Sequence, residues 1–198
     1  SAEPWVEDCH LMTSTHPSTG LKKHFFFPGF SAKTGGLLRE TDLTNHGDTK
    51  KNHPQAPLRI SLFTYENTAV TSLINCLTSR TEQFCLLIPE GRALSSVAAA
   101  IGQPLQANSR YTMKNLEIHV LPFSTQEQYD QLLASCDINF VRGEDSFVRA
   151  QWAGKPFIWH IYQQEEDAHF IKLNAFLERF LPNIPSNFRS SLHSLWGD

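Results

Sequence analysis

At 198 residues, 40% apolar and with a formal net charge of −3, the chain can bury one real core and has no broad electrostatic reason to hold a polyanion; no nucleic-acid partner is expected. Its longest apolar stretches, Phe84 to Pro89 and Leu116 to Phe123, fall far short of the ~20 residues of a membrane helix, so a soluble chain with no membrane partner is expected. Cys9, Cys76, Cys85 and Cys136 make no C-x-x-C pair and read as reduced, mostly buried thiols; His10, His16, His24, His46 and His53 lack the i, i+4 spacing of a helical metal site, so no metal is expected.

The amino-terminal Ser1-Ala2-Glu3-Pro4-Trp5 lacks the basic patch and apolar run of a secretory signal, and its start without Met points to a trimmed chain. Residues 1–57 are rich in Pro, Gly, Thr and His. The aromatic run Phe25-Phe26-Phe27-Pro28-Gly29-Phe30 and the turn-like Thr34-Gly35-Gly36 predict an interdomain linker with a short strand pair, and Thr44 to Pro57 predicts an exposed loop.

From Leu58 short apolar runs alternate with longer amphipathic ones, the pattern of βα units around a parallel sheet. Five strands are predicted, Leu58 to Thr64, Gln83 to Ile88, Leu116 to Leu121, Ile138 to Val141 and Phe157 to Ile161. Helices are predicted over Thr68 to Ser79, Ala93 to Ile101, Thr125 to Ser135, Asp145 to Ala153 and Glu165 to Phe180, the third opened by a capping box of Ser124 with Glu127. Residues 58–198 thus predict an α/β, Rossmann-like parallel sheet with helices on both faces, whose ligands bind beyond the carboxyl ends of the strands.

The loops at those ends carry the chemistry. After the fourth strand, Arg142-Gly143-Glu144-Asp145-Ser146 combines a tight turn, a cation, two carboxylates and a hydroxyl at a helix start whose free amides favour an anion such as a diphosphate. The same three side chains also suit a plain helix cap, and spacing alone leaves the two readings even. Phe63 and Tyr65 stand at alternate positions at the end of the first strand, where a base can stack, although core filling is the commoner use of such a pair. Phe123, Gln126 and Tyr129 follow the third, where Gln126 suits a pyrimidine edge, and Tyr162 follows the fifth, where it can donate to a phosphate oxygen. Neither G-x-x-x-x-G-K-[ST] nor G-x-G-x-x-G occurs, and no D-x-D loop calls for a divalent metal.

Asp137 to Ala153, followed by Lys155-Pro156-Phe157-Ile158-Trp159-His160-Ile161-Tyr162, resembles the signature of EarP, the protein-arginine rhamnosyltransferase family of bacterial elongation factor P. Phe25 to Phe30 and Thr34 to Glu40 resemble the same family, so the likeness covers most of the chain. The resemblance implies a GT-B fold of two Rossmann-like domains, with the carboxyl-terminal half binding dTDP-β-L-rhamnose and the amino-terminal half carrying the main catalytic Asp. This chain looks like the linker plus the carboxyl-terminal half. By that resemblance thymine stacks near Phe123 and Tyr129 with Gln126 on its edge, and Phe63 and Tyr65 line the cleft. Arg142, Asp145, Ser146 and Tyr162 hold diphosphate and ribose, and Glu144 supports catalysis beside the rhamnose.

The resemblance further implies an inverting transferase of the cytoplasm that takes elongation factor P as its acceptor protein and needs no cofactor or metal, and a chain that is inactive without the other half. A GT-B domain for UDP- or GDP-sugars and a non-catalytic Rossmann-like interaction module are the two alternatives.

Overall fold

The computed structural model describes residues 3–40, 56–164 and 168–197; most of the loop expected over Thr44 to Pro57, with His46 and His53, and the start of the last expected helix at Glu165 lie outside them. The chain divides into two compact units, one of residues 40–162 and one of residues 1–39 with 163–198. The sequence pattern places a single boundary after residue 57; the contacts instead group the last helices with the amino-terminal segment.

In the smaller unit α1 (Trp5–Cys9) precedes an antiparallel pair, β1 (Thr13–Thr15) and β2 (Lys22–His24), so the expected strand pair lies ahead of the aromatic run. The run itself packs: Phe27 meets Trp5 edge-on at 5.5 Å, and Phe26 lies so close to Gly35 that a Cβ there would clash at 2.1 Å. The expected turn is present, closed by bonds from Gly35 N to Phe27 O and from Gly29 N to Gly36 O. Phe30 meets Phe176 of α6 (Ala168–Phe180) at 5.8 Å, and Phe176 stacks on Trp196 of α7 (Ser186–Gly197), a helix the sequence pattern did not resolve.

The larger unit is a six-stranded sheet in the order β5-β6-β4-β3-β7-β8. Its members are β3 (Leu58–Leu62), β4 (Phe84–Pro89), β5 (Arg110–Met113), β6 (Leu116–Leu121), β7 (Ile138–Arg142) and β8 (Phe157–His160). All pairs are parallel except β5 with β6. The chain steps outward from β3 to β4 and β6, then returns to the other side of β3 for β7 and β8. Helix α2 (Ala69–Thr78) touches α3 (Ala93–Ile101), and α4 (Gln126–Ser135) touches α5 (Gly143–Ala153); with the right-handed crossovers that parallel strands require, the two pairs cover opposite faces of the sheet. Both faces of β4 are covered, so all six of its residues are buried.

Strand β5 was not expected. Its sequence Arg-Tyr-Thr-Met is short and half exposed, and its turn lacks the usual glycine: Lys114 takes the left-handed conformation at φ 51°. The Asn115 side chain secures that turn by donating to Leu77 O and Glu82 O. The expected capping box is also displaced by one residue. Thr125, not Ser124, is extended and accepts from Gln128 N, while Gln128, not Glu127, accepts from Thr125 N at 3.0 Å. One residue of register decides which hydroxyl meets the third amide of the helix.

The order of connections reverses between β3 and β7, which is where an open α/β sheet parts its loops into a crevice. Below that point the two strands are pinned by buried polar groups. Ser61 Oγ donates to Asn139 Oδ1 at 2.6 Å, Asn139 Nδ2 donates to Leu133 O at 3.0 Å, and both side chains are fully buried. Arg59 N donates to Asp137 Oδ2 at 2.8 Å, and Phe63 N to Phe140 O at 3.0 Å, extending the pairing to the mouth of the crevice.

Candidate functional site at the β3–β7 switch

Strand β3 ends at Leu62 and strand β7 runs through Arg142, so Phe63, Tyr65 and Arg142 are delivered to one place by adjacent strands. There the Arg142 guanidinium lies over both rings, 4.5 Å from the centre of Phe63 and 4.8 Å from that of Tyr65. The contacts contribute about 0.5–1 kcal/mol each, more where water is excluded. Ring stacking fixes the group without using its N–H donors. Among the described residues Arg142 has no ion-pair partner, and its buried Nε has no hydrogen-bond acceptor.

Three more rings brace this cluster. Phe63 meets Tyr129 of α4 at 5.4 Å, and Tyr65 meets both Tyr162 and His160 at 5.4 Å. Burial lifts the Tyr129 phenol well above its ordinary range, so it remains a neutral donor. The neighbouring Ser146 turns its hydroxyl to Arg142 O, and no hydrogen bond of normal geometry reaches the Tyr129 oxygen. Burial, and then the positive charge of Arg142, hold His160 below the ordinary imidazole value; its buried Nδ1 has no partner among the described residues.

Helix α5 starts at Gly143, two residues earlier than the pattern suggested. Gly143 has φ 65°, a conformation that disfavours any side chain, and its carbonyl accepts from Trp159 Nε1 at 2.9 Å. Trp159 is in turn stacked on Phe147 at 4.0 Å, so the turn is held from beneath. The helix has no side-chain cap at its start. Ser146 bonds the Arg142 carbonyl rather than an amide, while Glu144 and Asp145 stand exposed in the first turn, where the plain-cap reading also has them, without a side-chain cap bond. Amides left free at such a terminus attract an anion.

The Asp145 carboxylate accepts from Arg149 Nε at 2.9 Å, one turn on, and the same guanidinium donates to Asp130 Oδ2 at 2.7 Å. Its third contact is Glu40 Oε1 at 3.5 Å. Burial works against the charge on Arg149, but the bonds and charges of Asp145 and Asp130 outweigh it and raise its pKa further. The i, i+4 spacing of Asp145 and Arg149 is legible in the sequence; Asp130, from another helix, is not.

Not every expected residue joins the cluster. Phe123 is 81% exposed and stands apart from Tyr129, whose ring contact is with Phe63, and Gln126 is exposed in the first turn of α4. Tyr162 is 56% exposed, with its ring on Tyr65. At the opposite, amino-terminal ends of β4 and β6, Cys85, Glu117 and His119 bring one potential metal-ligand atom each within 4.8 Å of one another. Burial raises the Cys85 thiol, which keeps it protonated, and His119 Nε2 already lies 3.3 Å from Glu117. The other buried thiol, Cys136, is pushed up to about 11, whereas Cys76 is exposed and Cys9 only partly covered. No helix among the described residues is long and apolar enough to cross a membrane.

Comparison with known proteins gives the chain a family context. The family described as Elongation-Factor P (EF-P) rhamnosyltransferase EarP matches residues 1–198. A protein-arginine rhamnosyltransferase of Pseudomonas putida is 43% identical over 99% of this chain and 56% of its own length. One from Pseudomonas aeruginosa is 41% identical over 99% and 56%, and one from Neisseria meningitidis 37% identical over 89% and 49%. The chain thus spans about half the length of the curated relatives it matches. A solved structure described as the basis for EarP-mediated arginine glycosylation of translation elongation factor EF-P superposes with a TM-score of 0.75 at 38% identity, over 87% of this chain and 59% of that one.

Proposed function

This chain belongs to the EarP family of elongation factor P rhamnosyltransferases, and from that premise we propose that its larger unit binds dTDP-β-L-rhamnose as the donor half of an inverting transferase that rhamnosylates an arginine of elongation factor P. The observation that carries the donor site is Arg142, held on two aromatic faces at the β3–β7 switch, without a carboxylate partner among the described residues and beside an uncapped helix start. A diphosphate satisfies both the guanidinium and the free amides.

In this reading Asp145, Ser146 and Tyr162 surround the diphosphate and ribose with Arg142, and Phe63 and Tyr65 form the wall on which Arg142 rests. The open face of Phe123, with Gln126 less than a turn away, takes the thymine, and Tyr129 closes the pocket behind Phe63. The departing dTDP gains negative charge as the sugar–phosphate bond breaks. Arg142 and the helix amides stabilise that charge without a metal.

The attacking arginine nitrogen belongs to a guanidinium that almost never loses its proton in water, so acidic groups must orient it and accept the proton as the C–N bond forms. Glu144, exposed two residues beyond Arg142, supports that step. The main catalytic carboxylate belongs to the half of the family fold that this chain does not span. The isolated chain is therefore expected to bind donor and transfer nothing. Its acceptor is a translation factor, so the cytoplasm is the compartment this reading assigns.

Calorimetric titration with dTDP, UDP and GDP, in the presence of a chelator, tests the site. Selective binding of dTDP supports it. Equal binding of all three would remove the thymine pocket, and binding of none by a folded chain would remove the donor site.

A further inference from the structure

Asp145 is exposed at the rim of the crevice, yet it is not free to swing. An exposed carboxylate paired with an exposed cation one helical turn away ordinarily contributes about 0.3–0.5 kcal/mol, and both side chains remain mobile. Here the cation is Arg149, whose side chain is only 9% exposed and already anchored by Asp130, itself 4% exposed, on the facing helix α4. Glu40 takes a third donor at 3.5 Å. The entropy of ordering the long arginine side chain is thus spent on the buried pair, and Asp145 joins a guanidinium that is already fixed in direction.

The consequence is geometric. Asp145 Oδ2 accepts from Arg149 Nε at 2.9 Å, which orients the carboxylate and leaves Oδ1 available at the start of α5. The adjacent Ser146 hydroxyl is turned to the Arg142 carbonyl and does not compete for it. We infer that Arg149 is a positioning residue for the donor site: it clamps one oxygen of Asp145 so that the other meets a hydroxyl of the nucleotide's deoxyribose. This inference rests on the donor-site reading and assigns Arg149 no contact with the ligand. A planar fork can serve two carboxylates at fixed angles; an ammonium in the same place keeps the charge and loses the fork.

The test is dTDP titration of the 198-residue chain carrying Arg149→Lys, Asp145→Ala and both together. Arg149→Lys preserves the positive charge that Asp130 needs, and circular dichroism establishes that each variant is folded. Each single substitution is expected to weaken dTDP binding by roughly tenfold or more, and Arg149→Lys is expected to cost nothing further once Asp145 is Ala. A purely structural arginine would lose unfolding temperature without that non-additivity.

Wild-type affinity in folded Arg149→Lys, or additive losses in the double variant, would overturn the inference while leaving the donor site intact. If the wild-type chain itself does not bind dTDP, the donor site fails first. Should Arg149→Lys not fold, Asp145→Glu substitutes: it leaves the buried pair untouched but moves the carboxylate by one methylene. Roughly tenfold weaker binding is expected, and binding within about threefold of wild type would overturn the inference.

Discussion

Arg142 and Arg149 stand seven residues apart at the two ends of the first turns of α5, and the fold treats their charges in opposite ways. Arg149 is buried among Asp130, Asp145 and Glu40, so that its donors are consumed within the protein. Among the described residues Arg142 is offered the faces of Phe63 and Tyr65 and no carboxylate, so that its position is fixed while its donors remain unspent. An arginine that has all its partners holds a structure together; one that is oriented but unpartnered is prepared for a ligand. The distinction lies in the surroundings, since the side chains are identical.

The sharpest way to break this contrast is to remove each guanidinium in turn. Arg149→Met leaves Asp130 buried and uncompensated, and the expected loss is roughly 3–5 kcal/mol of stability, read as a shifted urea midpoint. A shift below about 1 kcal/mol would mean that the pair is as weak as a surface bridge. Arg142→Ala is expected to do the reverse. It forfeits two cation–π contacts, about 1–2 kcal/mol in all, but lowers dTDP affinity at least about tenfold through lost charge-assisted bonds. Unchanged affinity would remove Arg142 from the site.

A smaller effect is expected beneath the crevice. Asn139→Leu leaves Ser61 Oγ and Leu133 O without their partner, at a cost of about 1–3 kcal/mol, and loosens the β3–β7 junction that carries both halves of the site. Thermal unfolding measures the first consequence. If the midpoint is unchanged, a water has replaced the amide and the junction does not depend on it.

The sequence made the sheet readable because strands buried on both faces, such as Phe84–Pro89, have no polar alternative to their apolar run. It also marked Phe63, Tyr65 and Arg142 as crevice residues, since each directly follows or ends a strand. Strand β5 stayed hidden because an exposed edge strand needs no apolar pattern and Lys114 hides its turn. The Arg149 network stayed hidden because its buried partner, Asp130, lies 19 residues away on another helix. Phe123 shows the opposite limit: its place after β6 was legible, but not that its ring would stand 81% exposed.

The same contrast has a pH signature at His160. Burial and the Arg142 charge both depress the folded value, whereas in the unfolded chain the imidazole titrates near its ordinary ~6.5. On acidification the unfolded state therefore takes up the proton first. Stability is unaffected by this group above about pH 6.5, falls as the pH drops below it, and levels once the folded value is passed. His160→Phe should flatten that decline by the contribution of one site, and a decline of the same slope in both proteins would assign it to other groups. A diphosphate bound at Arg142 offsets the positive charge that contributes to the depression. NMR titration of His160 should therefore give a higher pKa with dTDP bound than without it, and dTDP binding near pH 6 should take up protons. A His160 titration indifferent to dTDP would show that the anion does not reach the Arg142 end of α5.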